Sequence, residues 1–489
     1  MMGSRLDWFI PVVVAAMAAS AMAYTVIVPD SVPSTLVDTP QTGLSIYTDN
    51  AHTDPNEQQA VYDIMKATGN GWATTIPDIC KGRWHGIECV PDNNRILHVV
   101  SLSFGALSDD TAFPTCEEGA YISPSLTKLP HIRRLFFYKC CTDGPQPILS
   151  FLGRLGKSLE SLVLRENGHV GIIPEELGNL TQLKVLDLHG NGLVSSIPNS
   201  LGSLSNLRLL DLSENKLEGQ IPQSIKGLRK LNVLNLNKNL FHGPIPDQIG
   251  CCTSLIKLDL SSNQLTGPIP DKLESLKSLL LMDLSFNELS GPIPSTIGEL
   301  GSLEALVLKG NQMGSSQIPE SFGKLRSLMA MVMSNVGLSG PIPESLGKLS
   351  KLRVLHLDNN RLNGTIPKSL SELGDLSELR LNQNKLTGPV PFTKEMLWRL
   401  GRNIHLSNNS GLCYSPEEER EEDDGSLSPL GIKYCKLKTT AHISSHRHLH
   451  LSNQIAPFPS SSAAMSRRAY DLALYLVAAL LVLVWFLAL

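Results

Sequence analysis

Four histidines, His442, His446, His448 and His450, stand close enough in the chain to suggest a metal site. Such tracts bind transition metals when other ligands complete the shell. This one lies in a polar, serine-containing stalk with no partner carboxylate, so it reads as a solvated linker, and no metal or other cofactor is expected. The acidic run from Glu417 to Asp424, broken by Arg420, reads as a solvated loop. A kinase Gly-rich loop, H-R-D, D-F-G, G-x-S-x-G and H-E-x-x-H are all absent, so neither phosphoryl transfer, nor serine nucleophile chemistry, nor zinc hydrolysis is indicated. The chain is not expected to be an enzyme. Its 42 Lys+Arg against 46 Asp+Glu give a net charge of -4, which offers no phosphate-binding surface and argues against nucleic-acid binding.

Three Asn-x-Ser/Thr sequons, at Asn179, Asn363 and Asn408, would accept glycans on a secreted chain. The start and end of the chain point to that route. Arg5 precedes an apolar run from Trp8 to Ala19, and Ala21-Met22-Ala23 forms a small-x-small cleavage site before Tyr24. An uncharged stretch runs from Leu472 to Leu489, behind small residues at Ser460 to Ala464 and a polar spacer with Arg467, Arg468 and Asp471. That order matches a glycolipid-anchor signal, and a single spanning helix is the alternative. Either way the expected location is the extracellular face of the plasma membrane, without a cytoplasmic domain. The nine cysteines are an odd count for a compartment in which disulfides form.

Stepping along the chain, one pattern dominates. Leu183-x-x-Leu186-x-Leu188-x-x-Asn191-x-Leu193 is followed by Ile197-Pro198 and Leu201-Gly202-x-Leu204. Its asparagine recurs every 24 residues as Asn167, Asn191, Asn215, Asn239, Asn263, Asn287 and Asn311, then returns as Asn360 and Asn384. A residue inserted near Gln317 shifts the phase, and Val336 fills the slot between. This is a leucine-rich repeat array. Each L-x-x-L-x-L segment is a short strand with alternate residues inward. One repeat buries about seven apolar side chains, roughly 10–20 kcal/mol. Ordering its residues costs more, about 36 kcal/mol, so repeats stand only when stacked. The asparagines are expected to turn inward and pair with backbone groups, where losing a buried partner costs about 1–3 kcal/mol.

Between core leucines, the outward strand positions carry Arg165, Asp187, His189, Asp211, Asp259, Asp283, Lys309, His356, Asp358, Glu378 and Arg380. This face is the expected binding surface. The mixed charges of His356, Asp358, Glu378 and Arg380 make them the candidate partner contacts, on the view that such side chains face water and are free of packing duty. Leu97-x-x-Val100-x-Leu102 and Ile132-x-x-Leu135-x-Phe137 read as degenerate first repeats, and Ile404-x-Leu406-x-x-Asn409 as a last one. Asp54-Pro55-Asn56-Glu57 is a helix start, with a capping residue, Pro in the first turn and an acid three residues on. Val61, Ile64, Met65 and Thr68 then share one face.

The G-x-I-P spelling, as in Gly267-Pro268-Ile269-Pro270 and Gly340-Pro341-Ile342-Pro343, resembles the plant-specific class of leucine-rich repeats. The box Trp84-His85-Gly86-Ile87-Glu88-Cys89, with Cys80 upstream, is similar to the N-terminal cap of plant repeat receptors. The stretches Val61 to Asn70, His98 to Cys116 and Phe136-Phe137-Tyr138-x-Cys140 extend the resemblance to plant receptor-like proteins. It implies an α/β leucine-rich repeat solenoid, a right-handed superhelical horseshoe of 24-residue repeats with disulfide-bonded caps. Disulfides are then expected at Cys80–Cys89, Cys116–Cys140 and Cys413–Cys435, leaving Cys141, Cys251 and Cys252 without evident mates. The resemblance further implies a kinase-less co-receptor that patterns stomata with receptor kinases of the ERECTA family and secreted cysteine-rich peptides of the epidermal patterning factor type. An apoplastic inhibitor of pathogen wall-degrading enzymes shares the repeats and is the alternative.

The expected organisation is a signal peptide (1–23), an N-terminal cap (24–95) and degenerate repeats (96–158). Ten regular repeats (159–398) follow, then a last repeat with the C-terminal cap (399–435), a polar stalk (436–471) and an apolar tail (472–489).

Overall fold

Each leucine-rich segment folds as a short strand whose leucines point one way. In Val185–Asp187, Leu186 is fully buried, and the same holds for Leu210, Leu234 and Leu258 in the strands that follow. Strand follows strand in register at the repeat spacing: Leu186 pairs with Leu210, Leu210 with Leu234 and Leu234 with Leu258. The result is a 15-stranded sheet, parallel except for Ile87–Pro91, which pairs antiparallel with Ile96–Phe104. One continuous apolar core runs behind it. The computed structural model describes residues 51–435, apart from 83, 106–112 and 416–429. These lie in the unit Asp49–Lys438. The signal segment, the acidic run, the histidine tract, the stalk and the apolar tail fall outside the described residues. Among the described residues, no helix is long and apolar enough to cross a membrane.

After each strand the chain turns through a residue at positive φ and reaches the ladder asparagine. Glu214, Lys238, Ser262 and Phe286 take φ of 51–55° just before Asn215, Asn239, Asn263 and Asn287. Asn215 donates to Leu188 O of the previous repeat at 3.0 Å, to Leu212 O and to Ser213 O. Its Oδ1 accepts from Leu193 N. The same bonds recur at Asn239, Asn263, Asn287, Asn360 and Asn384, and Asn409 extends the ladder by reaching Leu381 O at 2.9 Å. Asn167, Asn191 and Asn311 reach Phe137 O, Leu164 O and Leu284 O in the same way.

Beyond the ladder a second parallel sheet forms from short strands. It has seven strands up to Glu288–Leu289 and resumes as five from Ser339–Pro341. The break falls at the phase shift. In regular repeats an asparagine Oδ1 anchors the strand before it; Val336 has none, so Met313 N–H goes to Val336 O instead. The helical layer is made of single 3-10 turns such as Asn199–Ser203, which in the regular repeats are entered through the proline of the I-P pair. Glycine lets these turns stack. A Cβ at Gly202 would sit 2.4 Å from Ser224 O, and one at Gly227 would sit 2.0 Å from Gly202 O.

The ends differ from the repeats. Helix α1, Pro55–Ala67, starts where the sequence places it, with Asp54 Oδ1 accepting from Asn56 N and Glu57 N. Its buried Val61, Ile64 and Met65 close the N-terminal end of the core. At the other end, helix α2, Lys394–Leu400, begins under Thr393 and precedes the paired strands Gly411–Tyr414 and Lys433–Tyr434.

Candidate functional site

The solvent side of the long sheet is built from residues that alternate with the core leucines. One row runs in register from Asp187 through Asp211, Asn235, Asp259 and Asp283 to Val307 and Val332, then to His356, Arg380 and His405. Beside Val307 and Val332 lie Ala305, Ala330 and Val354, so the middle of the face has an apolar floor. Acid lines one end and mixed charge the other. Phe286, thrown outward by its positive φ, stands 52% exposed at the border, with Lys309 Nζ 5.3 Å from its ring centroid.

At the acidic end the carboxylates are tied sideways. Arg165 Nη1 reaches Asp187 Oδ2 at 3.2 Å. Ser213 Oγ donates to Asp211 Oδ1, and Asn235 Nδ2 donates to Asp211 Oδ2 at 3.0 Å. Ser261 and Ser285 donate to Asp259 and Asp283 in the same manner. Burial, then the adjoining Asp211 carboxylate, push Asp187 up to about 7 against the pull of Arg165. Burial and Asp259 push Asp283 up to about 7 as well. Burial, then Arg165, hold His189 below its usual range.

At the mixed end the four expected contact residues come together, but they contact one another. Arg380 Nη2 lies 2.7 Å from Glu378 Oε1. His356 Nε2 lies 3.0 Å from the same oxygen. Burial pushes Glu378 up, yet His356 and Arg380 outweigh it, and its pKa falls below the carboxylate range. Asp358 accepts from Ser334 Oγ at 2.6 Å and from Asn359 Nδ2 at 2.7 Å.

The expectation that these side chains are free of packing duty is therefore corrected for two of them: His356 is 5% exposed and Asp358 8%, buried like Asp259 of the same face. Strands about 4.8 Å apart bring outward neighbours into contact, so a short polar side chain is covered by the next one along the row. The apolar floor is what outward-polar reasoning missed. Its signal is present in the sequence, because Ala305-Leu306-Val307 and Ala330-Met331-Val332 are apolar at every position.

The structure joins Cys80 to Cys89, Cys116 to Cys140 and Cys413 to Cys435, and leaves Cys141, Cys251 and Cys252 free. Asn179, Asn363 and Asn408 are all exposed, whereas Asn409 beside the last of them is buried in the ladder. Glu57 does not fold back on its own helix. It turns into the sheet, where its carboxylate meets Val99 N, His98 and His131.

Over 186 residues the chain is 59% identical to Protein TOO MANY MOUTHS of Arabidopsis thaliana, a match covering 37% of this chain and 38% of that protein. Receptor like protein 29 of the same plant is 39% identical over 145 residues, 28% of this chain and 30% of that one. The matches thus span well under half of these relatives' length. Among solved structures, the Arabidopsis receptor kinase HAESA, in complex with the peptide hormone IDA and the co-receptor SERK1, superposes with a TM-score of 0.59 at 31% identity. That match covers 74% of this chain and 58% of that chain. The ectodomain of the Arabidopsis receptor kinase GASSHO1/SCHENGEN3 gives 0.58 at 28% identity, over 73% of this chain and 47% of that one. A family model described as leucine-rich repeat region matches residues 131–292 and 271–396, more than half of the chain. With the stacked parallel strands and the asparagine ladder, that match makes the chain a member of the leucine-rich repeat family.

Proposed function

We propose that the chain is a kinase-less cell-surface co-receptor, held at the outer face of the plasma membrane. It adds binding energy to a complex of a receptor kinase ectodomain with a secreted peptide. The partners are kinases of the ERECTA type and cysteine-rich peptides of the epidermal patterning factor type, and the process is stomatal patterning. The 59% identity to Protein TOO MANY MOUTHS over 186 residues, and the likeness to a receptor kinase solved with a peptide hormone and a co-receptor, support this class of partner. The observation that carries the mode of action is the sheet face: an apolar floor at Val307 and Val332, acid on one side with Phe286 and Lys309 at its border, and the mixed charge of Asp358, Glu378 and Arg380 on the other. A rigid strip with an apolar centre, acid at one end and mixed charge at the other suits an extended or disulfide-folded peptide surface. A coupling of about 1–3 kcal/mol would change a partner's affinity roughly 5–150-fold.

Co-purification of the full chain with a receptor kinase ectodomain, with and without peptide, tests the reading. Phe286→Ala with Lys309→Glu should weaken peptide-dependent capture by at least about tenfold, since exposed aromatic and cationic anchors dominate interfaces. Unchanged thermal stability is expected, because both side chains project from the face. Capture that is unaffected by this pair places the contact elsewhere on the solenoid.

A further inference from the structure

We propose that Glu57, His98 and His131 form a divalent-cation site of the zinc class in the N-terminal cap. Glu57 Oε1 lies 2.7 Å from His98 Nδ1 and 3.2 Å from His131 Nδ1, and the three ligand atoms all fall within 4.8 Å of one another. The two ring centroids lie 4.0 Å apart, with the planes tilted by 44°. Both nitrogens therefore aim at one oxygen. Around a tetrahedral zinc with bonds of about 2.0–2.1 Å, ligand atoms sit about 3.3 Å apart. Lengthening the two Glu57 contacts to that spacing, by about 0.6 Å for His98 and about 0.1 Å for His131, makes room for an ion among the three atoms.

The charge balance argues for a cation. Glu57 is 2% exposed, and Val99 N–H saturates its other oxygen at 2.7 Å. Among the described residues its ion-pair contacts are the two histidines. A buried carboxylate is stable only when its charge is compensated. A divalent ion compensates the carboxylate and takes both imidazole lone pairs at once.

The surroundings fit a ligand set of N, N and O. Asp92 Oδ2 lies 3.9 Å behind His98 Nε2, and Asp92 Oδ1 is fixed by the N–H groups of Asn94 and Ile96, each at 2.8 Å. A carboxylate hydrogen-bonded behind a ligating imidazole sets its tautomer and raises its basicity, and Asp92 stands about an ångström short of that contact. His131 has 51% of its side chain exposed, which leaves a side of the ion open to water or a fourth ligand. The donors come from α1, from the first long strand and from the turn before the next strand, so a bound ion staples the cap to the start of the array. Binding energy would then appear as cap stability.

The test uses the full chain with His442, His446, His448 and His450 replaced by Ala, to remove the tail tract, after stripping with chelator. Zn2+ alone is titrated by calorimetry, and Co2+ alone is followed by visible absorption. One equivalent is expected, with Co2+ bands of a low-coordinate N/O site and a raised thermal midpoint. His131→Ala, at a half-exposed position that the fold tolerates, should weaken binding by at least about 100-fold and abolish the thermal shift. Asp92→Asn should weaken it by about 10–100-fold. Glu57→Gln should also lose the Co2+ bands. No binding to the parent chain, or equal binding by parent and His131→Ala, overturns the proposal and leaves the cluster a proton-sharing ion pair.

Discussion

Asp187 is 1% exposed on a face whose backbone direction points to solvent. Alternation along the strand makes its direction legible in the sequence, but not its depth, because depth is set by Arg165 and Asp211 on neighbouring strands. The consequence is a pH dependence. Burial and Asp211 raise the carboxyl of Asp187 from 3.8 in the free chain to about 7, and burial and Asp259 do the same for Asp283. A folded-state pKa above the unfolded one contributes stability that is complete below the unfolded value and is lost as pH rises through the folded one. The thermal midpoint should therefore fall between pH 4 and about 7. Asn235 occupies the same row and donates to Asp211, so an amide fits there. Asp187→Asn with Asp283→Asn should raise the midpoint at pH 8 and flatten the slope below it. An unchanged slope, followed by calorimetry across this range, would mean that these carboxyls titrate normally.

At the scale of elements, the repeat strands, the ladder and the start of α1 are all legible, since each rests on residues close in sequence. Asp54 and Pro55 start the helix as local rules require. The Glu57, His98 and His131 cluster is not legible, because two degenerate repeats of unusual length bring the three together. The N-terminal end needs a lid, since an open solenoid end exposes core. Helix α1 supplies it, strand Ile87–Pro91 covers the sheet edge by pairing antiparallel with Ile96–Phe104, and Cys80–Cys89 ties that strand back to the segment after α1. For a loop this short, chain entropy gives the crosslink about 2–3 kcal/mol. Cys89→Ser should lower the amount of chain secreted and lower the unfolding midpoint. Secretion and midpoint both equal to the parent's would show that the packing of α1 alone holds the lid.

For the array as a whole, each repeat touches only its neighbours, so stability is set interface by interface and opening starts at the weakest one. The long sheet crosses every interface without a gap: Val307 pairs with Val332, and Val332 with His356. The second sheet does not. It stops at Glu288–Leu289 and resumes at Ser339–Pro341, across the 25-residue step that the sequence marks with one extra residue near Gln317 and with Val336 in an asparagine slot. The phase shift is legible; its consequence, a missing strand, follows only from the side-chain oxygen that valine lacks. Ser316 bridges the gap, with its Oγ accepting from Ile293 N at 2.9 Å and its carbonyl from Ser339 N at 2.9 Å. Gln312 N–H to Leu289 O, Met313 N–H to Val336 O and Ser339 Oγ to Ser315 O add to that bridge, but none replaces an asparagine that donates to three carbonyls. Amide exchange in residues 312–317 should therefore outpace that of the equivalent segments 264–269 and 361–366, read by mass spectrometry on the intact chain. Ser316→Ala should widen the difference, because Ile293 N–H then loses its acceptor, a loss of about 1–3 kcal/mol at a buried site. Uniform exchange across the three segments would show that the long sheet and the core alone carry the cooperativity, with the second sheet contributing little.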